Sequence, residues 1–224
     1  MRGYKLFNSA YSNTIKQSFN HLTLDKYYNE TRYRAFSLIN SDTFSIQGNP
    51  QFNQSSTYNN YLGDTIRTYP NVNSEILQDK SFQKTLTLFR NTIYSKKNPY
   101  TLFYIHQIRV ECSNSNINPV PEGIHRDGYD YICISCVNKV NVNPVYNEIL
   151  DNNHNIVKSI ELNENQHLVL NDKEHLHNVT QLSTTSNNNS IGHRDIFVIQ
   201  KHFRRIAEPC KENSKKHYYC NVVD

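Results

Sequence analysis

The sequence predicts a mainly β fold with flanking helices, in which helices cover a double-sheet core from the outside. The first half of the chain carries apolar residues at helical spacing, and the second half carries several short stretches in which apolar residues alternate. Turn-rich segments such as Asp151-Asn152-Asn153 separate those stretches. Helices followed by many short strands are typical of two stacked sheets with helices packed against them.

We predict a single domain, residues 1–224, because a chain of this length supports one hydrophobic core. The domain divides into a helical N-terminal part at about 1–98, a β-sheet core at about 99–203 and a basic tail at 204–224. The sequence contains no internal repeat that would suggest a different architecture.

The clearest helix is predicted from about Glu75 to Tyr94, after Ser74 as its N-cap, because apolar residues recur there at helical spacing. Alternating apolar residues predict the strands of the two sheets. In chain order these strands are Leu102–Val110, Tyr129–Val137, Val145–Leu150, Ser159–Leu162, Gln166–Leu170, His175–Thr180 and Arg194–His202.

Composition and charge exclude several classes of protein. Hydrophobic residues make up 37% and charged residues 20% of the chain, which argues against both a disordered chain and a membrane protein. There is no run of about 18 apolar residues and no signal-peptide pattern in Met1–Phe7, so we expect a soluble, cytoplasmic protein without a membrane partner. The net charge of +4 is small, so a nucleic-acid partner is not expected.

The cysteine pattern offers a weaker alternative, a zinc or redox site. Cys133 and Cys136 form a CxxC pair, but they lie in a predicted strand, where residues three apart face opposite sides of the sheet. No second CxxC completes a zinc site. Cys210 and Cys220 are best explained as free thiols in a reducing compartment.

Metal-ligating residue types occur together at His125 and Asp127. Residues i and i+2 at the mouth of a strand point the same way, so this imidazole and carboxylate can converge on one ion. A second histidine from another strand would complete a 2-His-1-carboxylate face, which is the signature of iron(II) oxygenases, although zinc can bind the same residues. We choose His177, which precedes an inward-facing strand segment, and keep His175 as the alternative.

Arg194 is a candidate for binding a keto-acid cosubstrate. Such a cosubstrate chelates iron at one end, and its far carboxylate needs a cation that stays charged when buried, a role that a guanidinium fills. The alternative is an ordinary ion pair of Arg194 with Asp195 or another acid. The order H-x-D, His177, Arg194 along the chain favours the cosubstrate role.

Several segments resemble one known family. Residues Pro121–Gly128 resemble the P-E-G-x-H-R-D-G block of the bacterial 2-oxoglutarate/Fe(II) dioxygenases of the L-isoleucine dioxygenase type, which are amino-acid hydroxylases. The segments Arg32–Arg34, His106–Arg109, Leu170–Thr180 and Gly192–Ile199 resemble further parts of that family. The resemblance spans about residues 20–203, and its eight-residue block is quite specific.

The resemblance implies a double-stranded β-helix, the jelly-roll or cupin-like core. It implies Fe(II), 2-oxoglutarate and O2, with iron held by His125, Asp127 and His177 and with Arg194 binding the 5-carboxylate of 2-oxoglutarate. It further implies hydroxylation of an aliphatic carbon of a small molecule, a free L-amino acid. The chain departs from the family at the Asn141–Val145 segment and, for example, at Gln181, neither of which includes a predicted ligand.

An amino-acid substrate needs a cation for its carboxylate and an acceptor for its ammonium group. Candidates for the cation are Arg109, Arg32 and Arg34, and the candidate acceptor is Glu122, although each of them also suits a structural ion pair. Two other functions stay open: the same chemistry on a peptide, protein or natural-product scaffold, and a jelly-roll binding protein without catalysis. The oligomeric state is open as well.

Overall fold

The computed structural model describes residues 3–28, 31–94, 102–113, 115–185 and 190–201. Ten strands occur in these residues: β1 Tyr4–Asn8, β2 Arg32–Asn40, β3 Ser45–Ile46, β4 Leu102–Cys112, β5 Tyr131–Val140, β6 Tyr146–Leu150, β7 Ile156–Glu161, β8 Gln166–Asn171, β9 Leu176–Val179 and β10 Gly192–Lys201. The helices are α1 Asn13–Ser18, a 3-10 turn Phe19–His21, α2 Ser74–Gln78 and α3 Lys80–Ile93. The predicted basic tail, 204–224, lies outside the described residues.

Two antiparallel sheets form the core. Within the described residues the larger sheet has the order β1-β8-β5-β10-β4-β2-β3, and the smaller one has the order β7-β6-β9. β10 lies between β4 and β5, with Val198 opposite His106 on one side and Ile134 on the other. Buried residues of both sheets, such as Ile132 and Ile149, share one apolar cluster, so the sheets pack face to face.

Helices α1, α2 and α3 cover the other face of the larger sheet. Buried helix residues, including Phe82 and Phe89, pack on sheet residues such as Ile105 and Phe197. The ring of Phe197 lies 4.9 Å from that of Phe82 and 5.2 Å from that of Phe19, measured between centroids. Two stacked sheets with helices outside confirm the predicted mainly β fold. In the described part of the chain, no helix has the length and apolarity needed to cross a membrane.

The prediction of a helical N-terminal part is wrong for much of its length. Besides its helices, this part supplies β1, β2 and β3, and β2 pairs with β4 inside the larger sheet. In β2, residues on both faces are buried, and the positions that face the second sheet include Arg32 and Arg34. Charged residues at inward positions interrupt the apolar alternation that identifies a strand.

The predicted helix from Glu75 to Tyr94 consists of two helices that meet at Asp79. The backbone of Asp79 is extended, with φ −68° and ψ 126°, and its side chain accepts hydrogen bonds from the N–H groups of Ser81 and Phe82. The carboxylate therefore caps α3 and forces a break after α2. The N-cap of α2 is Asn73, one residue before the predicted Ser74.

The two cysteines of the CxxC pair face opposite sides of the larger sheet. Cys133 lies in the cluster beneath the helices and Cys136 in the cluster between the sheets, and both thiols are free and buried. The expectation that they do not form a shared zinc site is met by this geometry, since one ion cannot contact both faces of a sheet.

A buried histidine, His167, makes stability depend on pH. Its Nε2–H donates to the Ser9 carbonyl at 3.0 Å, and its Nδ1 accepts from the Ser135 hydroxyl at 2.8 Å. Burial lowers the pKa of His167 to about 4, against a smaller opposing effect of the Ser9 hydrogen bond. The neutral ring is therefore the form that the folded protein holds, and the unfolded chain takes up a proton first as pH falls.

We expect His167 to contribute about 3 kcal/mol to the free energy of unfolding above its ordinary pKa of about 6.5. This contribution should be lost as pH falls to 4. Urea denaturation across this range checks it, with His167→Gln as the variant and His154→Asn, at an exposed turn residue, as the control. The His154 variant should keep the pH slope of the unsubstituted protein and the His167 variant should flatten it. Identical slopes in both variants would show that His167 is not the source.

Candidate metal centre

Three ligand residues converge at the edge where the two sheets meet. His125 and Asp127 lie in the segment before β5, and His177 lies on β9 of the smaller sheet. His125 and His177 exchange backbone N–H···O hydrogen bonds of 3.0 and 2.9 Å. Nε2 of His125 is 3.3 Å, and Nε2 of His177 3.9 Å, from Oδ1 of Asp127. One ligand atom from each residue lies within 4.8 Å of the others, which is the spacing of donors around one ion.

The chemistry of these donors fits iron(II). Nδ1 of His125 lies 2.8 Å from the Gly123 carbonyl, which can only accept, so this nitrogen carries the hydrogen and Nε2 keeps its lone pair for a metal. Two imidazoles and one carboxylate form the facial arrangement of iron(II) oxygenases, which leaves neighbouring coordination positions open. His175, the alternative ligand, is not among the residues that converge.

Electrostatics prepare the site for a cation. Burial alone would lower the pKa of His125, but the hydrogen bond and charge of Asp127 raise it to about 9. Burial opposes the ionisation of Asp127, yet both histidines hold the pKa of its carboxyl well below the usual range. Burial and the charge on His125 lower the pKa of His177 to about 3. Asp127 is thus an anion whose partner is a proton on His125 until a metal ion replaces that proton.

Asp172 anchors the segment that carries two of the ligands. Its carboxylate accepts the backbone N–H groups of Asp127, Gly128 and Tyr129 at 3.2, 2.8 and 2.9 Å. Its Oδ1 also lies 3.7 Å from Nδ1 of His177. Burial and the nearby charge of Asp127 raise the pKa of Asp172 to about 7. Sequence reasoning missed this residue, although it stands in a segment that resembles the dioxygenase family.

Arg194 is a buried cation in the same cavity as the three ligands. It lies on β10, is 3% exposed, and donates from Nη2 to Oδ1 of Asn147 at 3.2 Å. Among the described residues no carboxylate forms a salt bridge with it, because Asp195 pairs with Arg109 instead. Burial lowers the pKa of the Arg194 guanidinium from its ordinary value, yet a guanidinium stays charged. The alternative of an ion pair between Arg194 and Asp195 is therefore excluded.

The expectation that Arg109 contacts a substrate needs correction. Its guanidinium donates to both carboxylate oxygens of Asp195, at 2.7 and 2.8 Å, and to Asn20 at 2.9 Å. On β4 the side chains of His106 and Ile108 line the cavity between the sheets, so Arg109 points to the helix-covered face. Arg109 is a structural residue because its position in the strand turns it away from the ligands.

Arg32, Arg34 and Glu122 do line the cavity of the metal ligands. Nε of Arg32 donates to Oδ2 of Asp25 at 3.0 Å, and the same carboxylate oxygen lies 3.9 Å from Nη1 of Arg34. Oε1 of Glu122 accepts from the Asn59 amide at 2.9 Å. Two guanidinium groups thus share the carboxylate of Asp25, and Glu122 adds a second carboxylate to the charged residues of the cavity.

Aliphatic side chains form the remaining walls of the cavity. The larger sheet and the smaller sheet both contribute, and no aromatic side chain in the described part of the chain joins them. The apolar lining residues are Ile108, Val110, Pro119, Val120, Ile132, Ile134, Val179, Leu182, Ile196 and Val198. A ligand in this cavity meets methyl and methylene groups on its sides and charged side chains at its polar ends.

The fold and the site together define a class: a jelly-roll protein with a 2-His-1-carboxylate centre. A family model described as 2OG-Fe dioxygenase matches residues 16–200 of this chain. The chain therefore belongs to the 2OG-Fe dioxygenase family and is an Fe(II)/2-oxoglutarate-dependent oxygenase that uses iron, 2-oxoglutarate and O2. This confirms the predicted enzyme class and cofactors. A sequence search of curated proteins finds no match.

Solved structures with the same fold confirm the predicted double-stranded β-helix. A bsmA homolog from Methylobium petroleophilum has a TM-score of 0.70 at 20% identity, over 85% of this chain and 80% of its own. IDO from Bacillus thuringiensis has a TM-score of 0.72 at 17% identity, over 91% and 95%. The Fe(II)/(alpha)ketoglutarate-dependent dioxygenase TqaL has a TM-score of 0.64 at 13% identity, over 96% and 88%.

The structural role of Arg109 gives a testable prediction. Arg109→Ala should lower the free energy of unfolding by about 3–5 kcal/mol, because it leaves the fully buried carboxylate of Asp195 without its cation. Urea denaturation measures the loss. The folded variant should keep the KM of the unsubstituted enzyme for its primary substrate. A raised KM with unchanged stability would show that Arg109 does contact the substrate.

Proposed function

We propose that the enzyme hydroxylates an aliphatic carbon of a small, free L-amino acid. In this proposal His125, Asp127 and His177 hold iron, and Arg194 binds the 5-carboxylate of 2-oxoglutarate. One observation carries the cosubstrate role: a guanidinium with 3% exposure, without an acidic partner among the described residues, lies in the cavity of the ligand residues. Burying such a charge is costly unless an anion joins it, and the distal carboxylate of 2-oxoglutarate is an anion of suitable size.

The protein's own contribution is to bind, orient and exclude water. Iron with bound 2-oxoglutarate and O2 supplies the oxidising chemistry that replaces a C–H hydrogen by hydroxyl. Arg194, on a central strand, holds the cosubstrate at a fixed position relative to the ligands. The aliphatic walls would keep the reacting carbon of the substrate away from bulk water.

The charges at the cavity end support an amino-acid substrate. Arg32 and Arg34 share Asp25, so one positive charge is available for an α-carboxylate. Glu122 uses Oε1 to accept from Asn59, and no described residue donates to its Oε2, which can accept from an α-ammonium group. A side chain between these groups and the ligands would touch aliphatic residues, which suits an aliphatic substrate.

A peptide, protein or natural-product substrate remains the second candidate. The only feature that favours it is the basic tail, 204–224, which lies outside the described residues.

The cytoplasmic location also stays a prediction. The free, buried thiols of Cys112, Cys133 and Cys136 are consistent with a reducing compartment.

Succinate release tests the substrate class. With iron(II), ascorbate and 2-oxoglutarate, free aliphatic L-amino acids should raise succinate release well above the uncoupled background, and capped dipeptides should not. Removing the charge with Glu122→Gln should raise the KM for the amino acid about tenfold or more, since a hydrogen bond to a charged group is worth about 1.5–3 kcal/mol.

Glu148→Gln is the matched control for that variant. Glu148 also accepts from an asparagine amide, that of Asn178 at 2.9 Å, but it does not line the cavity. The KM of Glu148→Gln for the amino acid should stay within about twofold of that of the unsubstituted enzyme, the scatter expected for surface changes. Turnover of peptides with no response to any free amino acid would contradict the proposed substrate and favour the second candidate.

A further inference from the structure

A chain of four buried side chains leads from the substrate end of the cavity to the metal ligand Asp127. Nη2 of Arg34, on β2, lies 2.6 Å from Nδ1 of His106 on β4. Nε2 of His106 lies 2.9 Å from Oε1 of Gln200 on β10, and Nε2 of Gln200 lies 2.8 Å from Oδ2 of Asp127. Each link up to Gln200 crosses from one strand of the larger sheet to its neighbour.

The two ends of this chain fix the direction of every hydrogen bond in it. A guanidinium can only donate, so Nδ1 of His106 accepts from Arg34 and Nε2 carries the ring hydrogen. That hydrogen is donated to Oε1 of Gln200, which turns the amide N–H2 towards Asp127. The carboxylate can only accept, so the last bond agrees with the first. Burial and the charge of Arg34 lower the pKa of His106 well below its usual value, in agreement with a neutral ring.

Packing holds the chain rigid. Exposed fractions are 7% for Arg34, 1% for His106 and 3% for Gln200. The His106 ring stacks on Phe36 at 4.6 Å between centroids, and Phe52 contacts it at 4.7 Å. The His106 ring cannot rotate without displacing Phe36 or Phe52, so its Nε2–H stays directed at Gln200.

We propose that Gln200 and His106 are positioning residues of the iron site. Gln200 holds Asp127 by Oδ2, so that Oδ1 stays turned towards Nε2 of His125 and His177, and His106 fixes the orientation of the Gln200 amide. The proposal rests on the proposed function, since it concerns how this chain presents its ligand to iron. The chain also ends on Arg34, so a residue assigned to the substrate carboxylate and a metal ligand belong to one hydrogen-bonded unit.

The segments Arg32–Arg34 and His106–Arg109 resemble parts of the dioxygenase family, and from the sequence only their arginines have a predicted role, as cations for a substrate carboxylate. In the structure Arg34 and His106 are links of the chain, whereas Arg109 pairs with Asp195 on the opposite face. Gln200 lies in an apolar strand and carries no sequence signal at all.

The test is the affinity for iron(II), measured anaerobically, in Gln200→Met, which keeps the length of the side chain and removes the donor. Gln107→Met is the matched control, because Gln107 is 1% exposed in the same sheet and donates at 2.8 Å to Ser18 on the helix-covered face. We expect the Kd for iron(II) to rise about 10–100-fold in the Gln200 variant, the range typical of outer-shell partners of metal ligands. The Gln107 variant should bind iron(II) like the unsubstituted protein.

A second readout is the visible charge-transfer band of iron(II) with 2-oxoglutarate, which should shift in Gln200→Met and stay in place in Gln107→Met. If Gln200→Met does not fold, the positioning role is tested with His106→Leu and His106→Gln. A glutamine amide at position 106 can still donate to Gln200, whereas a leucine cannot. We expect weakened iron binding in His106→Leu and recovery in His106→Gln.

Two results would overturn the positioning role while leaving the proposed function intact. The first is that Gln200→Met has the same iron(II) affinity and the same charge-transfer band as Gln107→Met. The other, where the His106 pair decides, is equal iron affinity in His106→Leu and His106→Gln. Failure of the proposed function looks different, because the unsubstituted protein itself would then bind no iron(II) or give no band with 2-oxoglutarate.

Discussion

The site depends on one short antiparallel contact between the segment before β5 and strand β9. Across it, His125 and His177 exchange two backbone hydrogen bonds, which bring the ligands of this segment next to the ligand on β9. Asp172 secures the neighbouring turn by accepting three backbone N–H groups, of which those of Asp127 and Tyr129 are buried. Without this contact the sheets would still stack through their apolar faces, but the imidazoles would not share an ion with Asp127.

Charge pairing inside the protein decides which cations are free to bind ligands. Arg109 is neutralised by Asp195 on the helix-covered face, and Arg32 is tied to Asp25 at the substrate end. Arg194 has no such partner among the described residues, although it is among the most buried guanidinium groups. Because an isolated buried charge is unfavourable, we propose that an anion from solution joins Arg194. Arg109 is not available to a ligand in the cavity, because Asp195 neutralises its charge.

The sequence predicted the parts that follow from local pattern and motif. Alternating residues located most strands of the core. The order of His125, Asp127 and His177 along the chain, together with the resemblance of Pro121–Gly128 to a known block, predicted the metal centre. What it missed depends on tertiary contacts. The charged residues of β2 interrupt its apolar alternation, so the sequence did not predict this strand, which is buried on both faces. Asp79 breaks a helix that the sequence predicts as continuous, because the apolar spacing continues across it. Gln200 shows no local pattern, because its function arises only when β4 and β10 are adjacent.

We propose that this cavity holds iron through Asp127 and 2-oxoglutarate through Arg194. The most direct measurement adds iron(II) and then 2-oxoglutarate to the protein without oxygen and records the weak visible band of the chelate. We predict a band in the unsubstituted protein, its loss in Asp127→Ala, and a weaker band in Arg194→Ala that recovers at high 2-oxoglutarate concentration. A band of equal strength in all three proteins, or no band in the unsubstituted one, would contradict the claim.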